Sequence, residues 1–222
     1  VKPLPLLFGN EKMASSIDIC NMALSLLGDS AEVTSINPPE GVQAGHCAKW
    51  YPIALRTVLE RHGWAFATLR VRPTEMSNVD ARLYGKDHAF AIPSNCLKIL
   101  NLQSYEDLSE NRPERFYAYE MAIVDKNARR ALFTDIKDPV LTYIVNVETP
   151  ELFPGYFIDC LVPLLATYLY GPVKRADTTS QAGQNLLKLY ESALSRAKNL
   201  DAESSMHRRE KRIPNVIKSR EV

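Results

Sequence analysis

The sequence predicts an α+β fold: a helical bundle built from N- and C-terminal helix pairs, with an inserted β-rich lobe and an extended C-terminal arm. Three observations predict it. Apolar residues recur at spacings of three and four from Ile17 to His62, and again from about Pro150 to Leu200. Between Arg72 and Thr149, prolines and turn residues bracket short β-branched and aromatic runs. Beyond about Ser204 the periodicity stops and basic residues accumulate. With 222 residues, 45% of them hydrophobic and 24% charged, the chain can bury a substantial core. That composition excludes collagen-like sequence, a disulfide mini-scaffold and wholesale disorder.

The first helix is announced by Ser15-Ser16-Ile17-Asp18, hydroxyls that accept orphan amide protons followed by an acid in the first turn. Ile17, Cys20, Leu24 and Leu27 share a stripe, and Gly28 is the expected stop. A second helix is expected from Pro39 or Glu40 to His62, ending at Gly63. Cys47, Tyr51, Ala54, Val58 and His62 line one face, and Pro52 removes a backbone hydrogen bond and kinks it. Trp64-Ala65-Phe66-Ala67 reads as a packing anchor. Strands are expected at Leu97–Leu102, Arg115–Tyr119, Met121–Val124, Arg130–Thr134 and Val140–Val147, with a hairpin loop at 125–128. Thr149-Pro150-Glu151 opens a third helix, apolar nearly all round from Phe157 to Tyr170 and therefore central, with Gly171-Pro172 as its end. Thr178-Thr179-Ser180-Gln181 reads as a capping box for a fourth helix striped by Leu186, Tyr190, Ala193, Ala197 and Leu200.

The resulting plan has five parts. Residues 1–12 read as a leader or artefact ahead of a natural-looking start at Met13. The first half of the bundle is 13–70, the β-rich lobe 71–149, the second half of the bundle 150–203 and the basic arm 204–222.

Charge divides the same way. The chain has 27 basic and 26 acidic residues, a formal net charge of +1. Residues 207–222 hold six basic and two acidic residues, +4 in all, which leaves −3 for residues 1–206. The chain as a whole is therefore no polyelectrolyte coat for nucleic acid. Cys20, Cys47, Cys96 and Cys160 lie 27 or more residues apart in apolar surroundings, which suits reduced, buried thiols in a protein made in the cytosol. The uncharged apolar stretch Leu161–Tyr170 is half of what a membrane span needs, so no membrane association is expected.

Residues with catalytic potential are few. No phosphate-binding glycine loop, dinucleotide fingerprint or nucleophile elbow occurs. His62 sits at a helix end, where it caps or packs. His88 is expected in a polar loop beside Asp87, without a nucleophile to serve. Glu106, Asp107, Glu110 and Glu114 offer carboxylates in the style of a cell-wall hydrolase, although clustered loop acids are mostly solvated surface. No catalytic residue, metal site or cofactor is assigned. The arm is the distinctive segment. Its basic residues admit a DNA-binding reading through phosphate contacts. They interleave with Ile213-Pro214 and Val216-Ile217 and include no aromatic for base stacking, which favours an extended segment that orders on a protein surface.

Several segments, in order, resemble a known family: the head-to-tail adaptors (tail tubular protein A, or head-tail connectors) of short-tailed bacteriophages. They are Ile17–Gly28, Cys47–Leu55, Val58–Ala67, Tyr84, Ile92–Leu100, the strand beginning Thr142-Tyr143-Ile144-Val145, the Pro150–Gly171 helix and Pro214–Arg220. Their shared order and spacing, covering nearly all of the chain from Met13, carries the resemblance. Gly63 stands where the family often has proline, and Ile217 where it often has tryptophan. The resemblance implies a structural, non-enzymatic virion protein, made in the host bacterial cytoplasm. It forms a homo-oligomeric ring, commonly of twelve copies, beneath the portal protein. Such a ring extends the channel for double-stranded DNA, which passes without sequence-specific binding. It helps retain the packaged DNA and is the platform for the tail nozzle protein. In this family the C-terminal arm docks on the portal. Carried over, Arg208, Arg209, Arg212 and Arg220 pair with portal acids alongside Lys211, while Ile213, Val216 and Ile217 are apolar anchors around Pro214.

Overall fold

The computed structural model describes residues 14–109, 117–124, 129–177 and 179–206. It is a mixed α and β protein, about half helical and one fifth strand, which agrees with the α+β expectation. The chain forms two compact units, Val1–Ala54 with Glu148–Ser195 and Leu55–Val147 with Arg196–Val222. Of the three boundaries, those at 54/55 and 195/196 fall inside helices and that at 147/148 does not.

In the first unit, α1 (Ser16–Leu26) begins as expected. Ser15 accepts the Asp18 amide while the Asp18 carboxylate accepts from the Ser15 amide and hydroxyl, a complete capping box. Ile19, Cys20, Ala23 and Leu24 are its buried stripe. Helix α2 (Val42–Glu60) starts later than the prolines suggested, because Ile36 pairs with Pro39 in a tight turn and Gly41 takes a φ of +96°, outside helical space. It ends at Glu60, so His62 lies in the turn beyond it. Pro52 is interior, as expected.

Thr149 and Pro150 open only a single 3-10 turn, Pro150–Leu152. Pro154 then starts α4 (Gly155–Lys174). Gly171-Pro172 does not end α4. Pro172 is exposed, and one lost hydrogen bond in the last turns is a small cost beside the buried Leu165, Ala166 and Leu169, so the helix runs on to Arg175 at a φ of +50°. By length and composition α4 is long and apolar enough to cross a membrane, a property that the shorter Leu161–Tyr170 stretch concealed. Phe157, Cys160, Leu161, Leu164 and Leu165 are buried in the fold, and α1 packs along it. Trp50 of α2 meets Tyr168 at 5.5 Å between ring centroids, and Lys174 Nζ donates to the Gly28 carbonyl. An Asn21 side chain that both donates to and accepts from the Val33 backbone fastens the loop after α1. A hydrogen bond with Cys47 and then burial hold the Cys20 thiol well above its ordinary range, and burial pushes Cys160 up to about 12, so both stay protonated at neutral pH. Among the described residues the Tyr51 hydroxyl is buried without a hydrogen-bond partner.

The second unit holds two three-stranded antiparallel sheets. One has the order β1 (Thr68–Val71), β6 (Pro139–Val145), β3 (Cys96–Ser104). The other has β2 (His88–Ala91), β5 (Arg130–Thr134), β4 (Glu120–Ile123). Strand β5 has its expected bounds, and β3, β4 and β6 lie within a few residues of theirs. β1 and β2 were not expected, since four-residue strands barely display an alternation. His88 therefore stands on a strand and not in a polar loop. Tyr117–Tyr119 is not a strand: after one bond from the Tyr117 amide to the Leu102 carbonyl the chain leaves the sheet. The loop at 125–128 lies outside the described residues, although β4 and β5 pair as the hairpin requires. A short helix, α3 (Tyr105–Ser109), follows β3 directly.

Phe90 and Leu132 from one sheet meet Leu102, Leu141 and Tyr143 from the other in a single apolar cluster. Residues 72–87 cover the opposite face of β5, where Tyr84 stacks on Phe133 at 3.9 Å and Met76 and Ala81 pack beside it. At Gly63 a Cβ would meet the Leu100 side chain at 3.3 Å, so a larger residue there requires that side chain to shift by a few tenths of an ångström.

Two outcomes follow for urea unfolding. Leu141→Ala, at the centre of β6 with no exposure, should cost about 2–5 kcal/mol. Tyr51→Phe removes a buried hydroxyl that lacks a partner and should leave the unfolding free energy unchanged or raise it by about 1 kcal/mol.

Candidate functional site

The residues assigned to docking, Arg208, Arg209, Lys211, Arg212, Ile213, Pro214, Val216, Ile217 and Arg220, lie outside the described residues. What the structure describes is their root. Helix α5 (Gln181–Met206) is 26 residues long, about 39 Å at 1.5 Å per residue, and residues 207–222 follow it in sequence. The expected capping box rests on Thr178, which lies outside the described residues; at the described start of the helix Ser180 Oγ accepts from the Gly183 amide. The buried stripe is Tyr190, Ala193, Ala197 and Asp201. Leu200, expected on that stripe, is 48% exposed, whereas Asp201 is 2% exposed.

Asp201 is buried for a reason. Its two carboxylate oxygens accept from the Ala65 amide at 3.1 and 3.2 Å. Ala65 opens a single 3-10 turn, Ala65–Ala67, whose N-cap is Trp64, a residue with no capping side chain. The first amides of such a turn lack internal acceptors, and Asp201 provides one from 136 residues away. His62 Nε2 lies 3.3 Å from Asp201 Oδ2, and the His62 ring meets Trp64 edge-on at 4.9 Å. Trp64 is fully buried and donates its indole N–H to the Val58 carbonyl at 2.9 Å. Thr68 Oγ1 donates to the Trp64 carbonyl at 2.6 Å. The end of α2, the start of β1 and the last turns of α5 are thereby fixed together.

The His62 imidazole is held below its ordinary value near 6.5, chiefly by burial and further by Lys198 and Lys98, against the opposing pull of Asp201.

The other candidate residues are dispersed. His88 Nδ1 faces Glu75 Oε1 at 2.8 Å, and Asp87 is not its partner. Asp107 is buried and accepts from the Tyr117 hydroxyl at 2.6 Å, a structural role, while Glu106 begins the exposed side of α3. Glu110 and Glu114 lie outside the described residues. Among the described residues no group of three His, Cys, Asp or Glu side chains is placed to hold a metal ion. The Asp201 anchor escaped sequence reading because its partners are far away in the chain. The available signal was the small-residue spacing of Ala193 and Ala197, which a further step of four takes to Asp201. No family model matches the chain, and no curated protein matches it.

Asp201→Ala should destabilise the protein by about 1–3 kcal/mol, since the buried Ala65 amide loses its acceptor and the His62 ring its carboxylate neighbour. The His62 effect has a defined sign. A folded-state value below the unfolded one means the unfolded chain takes the proton more readily. Stability is then present above pH 6.5 and declines as pH falls through that value towards the depressed one. Urea midpoints at mildly acidic and neutral pH should show a smaller decline for His62→Gln than for the parent protein.

Proposed function

We propose that this chain is a head-to-tail adaptor of a short-tailed bacteriophage, a structural and non-catalytic virion protein. On this reading copies assemble into a ring, twelve in the family pattern, beneath a portal. The ring continues the DNA channel, helps retain packaged DNA and carries the tail nozzle. The helical pairs form the bundle of the adaptor, and the β-bearing segment is its inserted lobe. The protein is made in the bacterial cytoplasm and acts in the neck of the virion, without a cofactor and without sequence-specific contact to the DNA.

The observation that supports it best is the pinned end of α5. A docking arm is useful only if load applied to it reaches the body. Here the helix leading into residues 207–222 is fastened about one and a half turns before its end by the Asp201 carboxylate on Ala65. Charge supports the same division: +4 in residues 207–222 against −3 in the remainder. A segment that orders on binding gains little per copy, but a ring engages many arms at once, and the effective concentration makes the joint durable. An acidic body also suits a channel wall, because a basic lining would hold the phosphates of moving DNA.

Removal of residues 207–222 should abolish co-sedimentation with an assembled portal while leaving the urea midpoint within about 0.5 kcal/mol of the intact protein. Truncated protein that still binds portal at full strength would sink the reading. A DNA-binding protein acting through the same arm would instead show duplex affinity that falls steeply with salt and vanishes on this truncation.

A further inference from the structure

We infer that the β-bearing unit carries a second binding site, a groove that takes an acidic, apolar-anchored peptide segment of a partner protein. It does not rest on the adaptor reading, because it uses none of the arm and no property of a ring. The groove has a volume of about 580 Å³, within the range of roughly 300–1,000 Å³ usual for ligand sites. Met76 and Ile92, both buried to within a tenth of full coverage, contribute apolar lining beside Ala91. Ser77, Ser94 and Asn78 contribute hydroxyl and amide groups, and Arg129 and Arg130 contribute the charge.

The Arg130 guanidinium is preorganised. Its Nη2 donates to the Cys96 carbonyl at 2.8 Å, which fixes the planar fork and leaves further N–H donors for a carboxylate. No carboxylate among the described residues lies within ion-pair distance of Arg130. Glu75 also borders the groove, but its Oε1 is 2.8 Å from His88 Nδ1, and His88 lines a separate cavity of about 450 Å³ next to it. Glu75 is thus engaged with His88 and makes no ion pair with Arg130, which is the guanidinium the groove offers to a carboxylate.

Chemistry selects the occupant. The lining has no aromatic ring on which a base could stack, and the two arginines are neighbours in a concave site, not a stripe that could track a phosphate backbone. An apolar floor with a bidentate cation at the side matches an Asp or Glu next to a Leu-sized side chain in an extended peptide.

The test uses the full chain and fluorescence anisotropy with a short fluorescein-labelled peptide of Asp, Glu and Leu. Its Asn, Gln and Leu counterpart, a labelled DNA duplex and inorganic phosphate as competitor complete the set. The acidic peptide should bind, and the amide counterpart should bind at least about tenfold more weakly. Arg130→Gln should weaken the acidic peptide by a similar factor in a protein that still unfolds cooperatively, at a lower urea midpoint because the bond to the Cys96 carbonyl is lost. Ser77→Asp, an exposed position that leaves the Arg130–Cys96 bond intact, should weaken it too. Failure of the peptide to bind, equal binding of the amide peptide, affinity indifferent to both variants, or preferential Arg130-dependent binding of duplex or phosphate would each overturn the proposal.

Discussion

A single buried carboxylate sets the geometry of the β-bearing unit. Asp201 reaches across 136 residues of sequence to the Ala65 amide, and it also faces His62. Burying a charge is costly unless it is hydrogen-bonded and paired, so this carboxylate tolerates few arrangements of its neighbours. The Ala65 amide must point at α5, and that fixes the 3-10 turn between α2 and β1. The turn in turn places Trp64, whose indole returns to the Val58 carbonyl and closes the corner. An apolar residue at 201 would bury as well, but it would not dictate one orientation of the backbone opposite. The polar contact contributes specificity that packing alone lacks.

From that corner the rest of the unit follows by ordinary burial. β1 leaves the turn and pairs with β6, whose residues Val140–Ile144 are all buried because it lies between β1 and β3. β5 is central in the other sheet, with Leu132 on one face and Ala131 and Phe133 on the other. The helical unit obeys a different logic. There α1, capped at Ser15, lays a stripe of small and branched side chains along α4, whose buried surface includes Phe157, Leu161 and Leu165. In the proposed adaptor the Asp201–Ala65 contact ties the helix that leads into the basic arm to the β-bearing unit.

What the sequence revealed depended on whether the determining contact was local. The α1 cap could be read because Ser15 and Asp18 are three residues apart, and β5 could be read because the short apolar run Ala131-Leu132-Phe133 stands between turn signals. The ends of α2 and α4 could not. Gly41 and the Ile36–Pro39 bridge delay one helix, and an exposed Pro172 fails to stop the other, because a proline signal is a cost that tertiary burial can exceed. β1 and β2 are too short to display a period, and their partners β6 and β5 lie more than 35 residues away. Asp201 is the clearest case. Helical spacing from Ala197 points to it as well as to Leu200, and hydrophobicity favours the leucine; only the distant Ala65 amide reverses the choice. The basic character of the arm was visible at once as a shift in charge. The arginine-lined groove was not, because it gathers Thr74–Asn78, Ala91–Ser94 and Arg129–Arg130 from three separate segments.

The central claim is that this protein builds a ring on a portal through the arm that α5 carries. Negative-stain imaging of the purified protein mixed with an assembled portal tests it most directly. The account predicts a closed ring of copies stacked coaxially on the portal, extending its channel. Protein that stays monomeric and leaves the portal undecorated would contradict it.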